Sequence, residues 1–246
     1  MKNDRVASRM SGFTLTELTI VLVIVALLIG GMLLPLSVQR DLQSTSETQK
    51  QLSEIKEALI GFAIINGRFP RPASSATDGT EQSTSCTGTA KDKLCTGFVP
   101  WQVLGIQPTD SWNKLIRYSV SPSFSENTFT LDSVATKKIE TRDNAGNLTF
   151  LFGQTSNCDA KASLCAPVVI FSQGKQRYGT TADGTVLNGT ATSLDEKNND
   201  SGDGILFISR TPTDNTAAAG GEFDDIVTWI SPTVLFNRMV SASKLP

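Results

Sequence analysis

The chain has 246 residues, 22 basic and 24 acidic, and its net charge of −2 gives no electrostatic case for binding nucleic acid. It contains no histidine, which excludes histidine-dependent triads, histidine metal sites and a histidine pH switch. The length suits one substantial domain with an appendage.

The first twelve residues, MKNDRVASRMSG, carry Lys2, Arg5 and Arg9 against Asp4. An uncharged run rich in Val, Leu and Ile occupies residues 18–36, long enough to span a bilayer as a helix. The basic flank is expected to stay cytoplasmic and the rest of the chain to cross. A secretory signal would place a small-residue cleavage box after its apolar core; here the chain runs straight on into SVQRDLQSTSETQ. Glu17 stands just inside this apolar stretch. A carboxylate in hydrocarbon costs about 2.5–3.5 kcal/mol on insertion scales, and a plain anchor has no use for one.

The order Gly12, Phe13, Thr14, Leu15, Thr16, Glu17, Leu18, ahead of the apolar run, resembles the start of the type IV prepilin family. Its members have a short basic leader ending in glycine, an aromatic residue, a Thr-Leu-x-Glu-rich start and an uninterrupted apolar helix. The resemblance implies that residues 1–12 are a cytoplasmic leader, cut by prepilin peptidase between Gly12 and Phe13. It also implies N-methylation of Phe13, and Glu17 as an assembly residue that meets the Phe13 amine of a neighbouring subunit. A charged pair inside an apolar bundle sets register between otherwise slippery helices. The implied partners are prepilin peptidase, other pilins or pseudopilins, an inner-membrane assembly platform and the membrane itself. Pro35 lies one place beyond the proline frequent in family helices. With Gly30 and Gly31 before it, a kink or local melting is predicted over residues 30–36.

Beyond residue 37 the composition turns polar, yet Val38, Leu42, Leu52, Ile55, Leu59, Phe62 and Ile65 keep helical spacing. One helix is therefore expected from Phe13 to the Asn66-Gly67 stop signal, roughly 54 residues or about 80 Å. Residues 13–36 would be its transmembrane and filament-core part, residues 37–66 its amphipathic continuation, and residues 67–246 an extracytoplasmic globular domain. The fold class expected is α+β: this long helix packed on an antiparallel β-sheet in a pilin-like arrangement.

Residues 67–99 are rich in Pro, Ser, Thr and Gly and read as an irregular connection. Cys86, Cys95, Cys158 and Cys165, spaced by nine and seven, fit no CxxC metal or redox pattern. In an oxidising compartment disulfides are expected. Three connectivities are open, and near-neighbour pairing of Cys86 with Cys95 and Cys158 with Cys165 is the simplest. Asp110-x-Trp112 followed by Tyr118 resembles the D-x-W-G-x-x-x-x-Y element of type II secretion pseudopilins, with Asn113 in the glycine's place. Asparagine tolerates the left-handed conformation such a turn needs. Trp101 and Trp112 read as core anchors. Strands are predicted at residues 115–120, 128–131, 137–141 paired with 148–152, 168–172 and 205–209, in one antiparallel sheet. Ser231-Pro232 starts a short helix over residues 232–241.

Residues 193–204, SLDEKNNDSGDG, concentrate oxygen ligands in Asp195, Glu196, Asn198, Asn199, Asp200 and Asp203, though not in EF-hand order. The stretch EFDDIVTW, residues 222–229, resembles the D-I-x-x-W ending of major pseudopilins, whose preceding loop binds calcium. The resemblance implies a calcium cage drawn from Asp195, Asp200, Asp203, Asp224 and Asp225; a solvated acidic loop is the alternative. No phosphate loop, nucleophile elbow or HExxH helix is present, and no catalytic residue is assigned. The expected function is structural: a minor pilin or pilin-like subunit of a type IV pilus. It would be anchored in a bacterial inner membrane and assembled through its N-terminal helix. The alternatives are a type II secretion pseudopilin, a membrane-tethered adhesive or binding module, and a tethered hydrolase using paired carboxylates.

Overall fold

One helix, α1 (Leu15–Asn66, 52 residues), carries the chain from the apolar run into the domain that follows. The computed structural model describes residues 12–154, 158, 164–176, 178–188 and 192–245, with the backbone alone for residues 31–37. Of the expected leader only Gly12 falls among them. The local melting expected over residues 30–36 does not occur, since the backbone stays helical throughout α1. A proline removes one hydrogen bond, which a helix this long absorbs because propagation, unlike nucleation, is easy.

By its internal contacts the chain divides into two units, Met1–Gln43 and Ser44–Pro246. In the first, the described apolar side chains of α1 are uncovered: Leu15 is 82 % exposed and Leu27 71 %. Among the described residues no helix is long and apolar enough to cross a membrane; the side chains of residues 31–36, which complete the uncharged run, lie outside them.

The second unit opens with the remainder of α1 and continues through α2 (Lys91–Leu94), β1 (Thr96–Phe98), α3 (Trp101–Leu104), β2 (Arg117–Val120) and α4 (Pro122–Ser125). A hairpin, β3 (Lys138–Arg142) and β4 (Leu148–Phe152), precedes β5 (Val168–Ser172). The short pair β6 (Gly179–Thr180) and β7 (Val186–Leu187) leads to α5 (Leu194–Ser201), β8 (Leu206–Ile208), β9 (Ile226–Ile230) and α6 (Pro232–Ser241). Strands β1-β2-β5-β9 form an antiparallel sheet; β4-β3-β8 form a second sheet in which β3 and β8 run parallel.

The sequence of β5, VVIFS, explains the two-sheet arrangement, because it has no polar alternation and is buried at every position. Val168 and Ile170 join Leu52, Ile55, Leu59, Ile60 and Ala63 of α1 in one core, with Leu235 and Met239 of α6. Val169 and Phe171 join Ile139 and Phe207 in another. Helix, first sheet and second sheet are thus stacked layers, each burying the apolar face of the next. The expectation of one antiparallel sheet is corrected on this ground. A strand apolar on both faces needs cover on both.

Other expectations change locally. Residues 128–131 form no strand; Phe129 instead plugs the end of α1, its N–H on the Gly67 carbonyl at 3.0 Å and its ring 5.0 Å from that of Phe124. Residues 67–99 hold α2 and β1 and bury Phe69, Ala73 and Val99, so the connection is pinned. On α1 the stripe buried in the second unit is Leu52, Ile55, Leu59, Ile60 and Ala63; Ile65 has rotated off that face and is 77 % exposed. Trp101 packs against the core, whereas Trp112 is only half-buried. Cysteines pair as near neighbours, Cys86 with Cys95 and Cys158 with Cys165.

Candidate functional site

Two groups of carboxylates stand out, one at the start of α1 and one inside the second unit. At the start of α1, Thr14 and Glu17 cap the helix reciprocally. Glu17 Oε2 accepts from the Thr14 N–H and from its hydroxyl, each at 2.8 Å, and the Glu17 N–H donates to Thr14 Oγ1 at 3.3 Å. This is a capping box, which satisfies helix-end donors that would otherwise lack partners. The Thr-x-x-Glu spacing is readable in the sequence, and it gives Glu17 a helix-capping role beside the assembly role expected of it. Phe13 beside it is 86 % exposed.

The second group is built by a turn, a loop, a helix and a strand. Asp110 makes the turn: its Oδ1 accepts the N–H groups of Trp112 and Lys114, both at 2.9 Å, and its Oδ2 accepts the Ser172 hydroxyl at 2.5 Å. Asn113 takes the left-handed conformation expected of it, with φ of 62°. Thr48 and Gln51 of α1 fasten the turn, through the Ser111 hydroxyl at 3.1 Å and the Thr109 carbonyl at 2.6 Å. From Ser172, at the end of β5, the chain enters the loop of residues 173–176. Gly174 in that loop has φ of 55°, and a Cβ there would lie 2.5 Å from the Asp224 carboxylate carbon, so only glycine lets the loop close down on Asp224.

Asp224 and Asp225, just before β9, meet Glu196 in the first turn of α5; one oxygen from each lies within 4.8 Å of the others. Residues 193–204 are therefore not a solvated loop. Ser193-x-x-Glu196 is a helix-start spacing, and the acidic first turn suits the positive end of the helix dipole. The Asp224 N–H donates to Glu196 Oε1 at 2.9 Å and the Gln176 N–H to Asp224 Oδ2 at 2.7 Å. Asn199 donates to Asp225 Oδ2 at 2.7 Å while its own oxygen accepts from the Ile208 N–H. Asp225 is 4 % exposed and Glu196 1 %. Two further oxygens, Oδ1 of Asp224 and Oδ1 of Asp225, are buried with no hydrogen-bond partner among the described residues.

Burial dominates the titration of all three. It pushes Glu196 up to about 7, helped by the charge of Asp224, raises Asp224, and raises Asp225 well above the carboxylate range. Acids in such a setting either keep their protons and lie neutral or ionise against a cation. The donor set is all oxygen, which suits a hard divalent cation such as calcium. The same residues would supply its ligands and would tie α5 to β9.

The other expected ligands do not join them. Asp195 is clasped by two arginines, Arg142 at 2.6 Å and Arg210 at 2.7 Å. Asp200 accepts from Gln173 Nε2 at 2.9 Å, and Asp203 accepts the N–H groups of Ile205 and Leu206 in a local turn. Of the five residues named from the sequence, Asp224 and Asp225 come together, joined by Glu196, and Asp195, Asp200 and Asp203 stand apart. Glu196 lay within the acidic run but could not be told from its neighbours without knowing which face of α5 points inward. A second grouping, Cys86, Cys95 and Glu126, has its sulfurs in a disulfide and offers no thiolate. Comparisons of the chain with protein-family models, curated proteins and solved structures give no match.

Proposed function

We propose that the chain is a structural subunit of a type IV filament, a minor pilin that polymerises through α1 after loss of its leader and methylation of Phe13. The observation that carries this reading is the uncovered apolar start of α1 with a carboxylate in its first turn. So much exposed apolar surface calls for a partner. In this reading the partner is the bacterial inner membrane before assembly and sister helices afterwards. The capping box lets Glu17 wait in the membrane with its carboxylate hydrogen-bonded. In the filament the methylated amine of a neighbour's Phe13 takes over as its charge partner. The work of the subunit is assembly, and no catalysis is assigned to it.

A pseudopilin of type II secretion is the second reading. It is favoured by the Asp110–Trp112 turn and by the acidic cluster at the head of β9, which we propose holds calcium as a structural cofactor.

Glu17→Ala tests the assembly role: filaments sheared from cells should lose the variant, while its level in the membrane stays unchanged. Normal incorporation of the variant sinks the reading. Incubation of membranes with prepilin peptidase should expose Phe13 as the new N-terminus, and a chain left uncut counts equally against it. Co-purification with pilus or secretion subunits separates the two filament types.

A further inference from the structure

Two arginines, Arg142 of β3 and Arg210 just after β8, close on Asp195 of α5. Asp195 Oδ2 accepts from the Nε of both at 2.7 Å, and its Oδ1 accepts from Arg142 Nη2 at 2.6 Å. Arg142 Nη1 donates to the Gly146 carbonyl at 2.7 Å and Arg210 Nη2 to the Gly221 carbonyl at 2.6 Å. The Arg210 guanidinium also lies 4.7 Å from the centre of the Phe223 ring. This clasp uses every nitrogen of Arg142 and leaves one of Arg210 over. Arg210 Nη1 has no partner among the described residues, although the side chain is only 8 % exposed. Arg210 lines an open pocket of about 440 Å³ between the tip of the β3–β4 hairpin and the loop of residues 211–219. Neither Asp195 nor Gly221, which hold its other nitrogens, lines that pocket, so Nη1 is the nitrogen turned toward it. We propose that the pocket binds a small hydroxylated carboxylate, of the sugar-acid class, whose carboxylate meets Arg210 Nη1.

Three features select that ligand. Two guanidinium groups share one carboxylate, so the clasp carries a surplus positive charge, and a guanidinium largely removed from water favours an anion. Asp143 is the one acid lining the pocket; it is exposed at the rim, and its Oδ1 is occupied by the N–H groups of Ala145 and Asn147 in the hairpin turn. Glu140 acts on Arg142 from farther back along β3 and does not line the pocket. Second, a single free nitrogen cannot grip a carboxylate as a fork, so further affinity has to come from neutral groups. Thr141, Asn144 and Thr211 offer hydroxyl and amide groups to the hydroxyls of a sugar. Third, the walls stand before any ligand arrives. Gly146 has φ of 84°, and a Cβ there would lie 2.6 Å from that of Ala219, so the hairpin tip closes on the opposite loop. The volume falls in the range of small-ligand pockets, roughly 300–1,000 Å³. A clasp that served only to tie β3, β8 and α5 together accounts for Nε and Nη2 of Arg210 but gives Nη1 nothing to do. The pocket belongs to the second unit and does not depend on assembly through α1.

The test titrates the full chain in detergent with glucuronate, galacturonate and N-acetylneuraminate, with acetate and glucose as controls, by saturation-transfer NMR. At least one sugar acid should saturate with a Kd about tenfold or more below those of acetate and glucose. Arg210→Gln should weaken that binding about tenfold or more, and Thr211→Val about threefold with an unchanged melting midpoint. Failure of all three sugar acids to bind overturns the proposal, and so does binding that Arg210→Gln leaves as it was. Acetate held as tightly as the sugar acid overturns the part given to the hydroxyls, and glucose held as tightly overturns the part given to Arg210. Should Arg210→Gln fail to fold, Thr211→Val and Asn144→Ala decide, since neither side chain takes part in the clasp: full affinity in both overturns the site.

Discussion

Replacing Asp110 separates a turn held by a carboxylate from one held by its surroundings. In Asp110→Ala the Trp112 and Lys114 N–H groups and the Ser172 hydroxyl lose their common acceptor. The Lys114 N–H lies in a buried residue and cannot turn to water; the Trp112 N–H is partly accessible, and the hydroxyl can rotate. Leaving a buried donor unsatisfied costs about 1–3 kcal/mol, and a hydrogen bond to a charged group contributes about 1.5–3. Against this stands the burial of the carboxylate, which raises its pKa above the ordinary 3.8 and so partly cancels the gain. The balance is a loss of about 3 kcal/mol, which for a domain of this size lowers the melting midpoint by roughly 6–12 °C. Asp110→Asn keeps an acceptor for both N–H groups and should cost within about 1 kcal/mol. The pH dependence gives a second readout. Because the folded-state pKa is raised, the stability Asp110 contributes is full below pH 3.8 and declines as the pH rises through the folded value. The difference between wild type and Asp110→Asn should therefore move in favour of asparagine on going from acid to neutral pH. Thermal unfolding followed by near-ultraviolet dichroism measures both. Equal losses for Ala and Asn, or a difference moving the other way with pH, refute the reasoning.

Calcium should raise the melting midpoint of the chelated protein, and Glu196→Gln should abolish most of that rise, since a third of the ligand charge is gone. A midpoint indifferent to calcium removes the ion from the structure. Leu59→Ala empties a fully buried position where α1 meets the first sheet and should cost about 3–4 kcal/mol in denaturant unfolding; under 1 kcal/mol would mean that α1 is not part of that core. Joint replacement of Cys86 and Cys95 by serine frees a short loop and should cost about 2–3 kcal/mol. No loss of stability would show that the burial of residues 67–99 suffices by itself.

Elements whose residues obey one local rule were legible in the sequence. The Ser-Pro start gave α6, and the hairpin about RDNAG, residues 142–146, matches β3 and β4. The apolar run Val168–Ser172 is β5 to the residue. Of the three cysteine connectivities open in the sequence, the simplest, near-neighbour pairing, is the one formed. What stayed hidden depended on a second element. β8 is short, and its parallel pairing with β3 joins strands far apart in the chain, which no local pattern announces. Phe129 sits in a stretch that alternates like a strand, and only the phenylalanines it meets show why it forms none. At the site, Asp224 and Asp225 were visible as a motif. Glu196 was one of six oxygen-bearing residues in its run until α5 turned it inward.

The two carboxylate groups pose one physical problem at different depths. Glu17 lies on an exposed helix surface and can borrow Thr14 to satisfy its oxygen, but a hydrogen bond from a neutral group does not cancel a charge once water is removed. If α1 enters lipid or a bundle of its own kind, a cation from outside the chain has to arrive. Glu196 and Asp225 are buried and Asp224 half-buried, and donors within the protein meet some of their oxygens. Two orphaned oxygens measure what is still lacking there. In the function proposed above, each site is completed by a cation from outside the chain. One would be a chain end presented by a sister subunit and the other a small hard ion. Losing the first should stop assembly with the domain still folded, and losing the second should soften the domain with α1 still free to assemble.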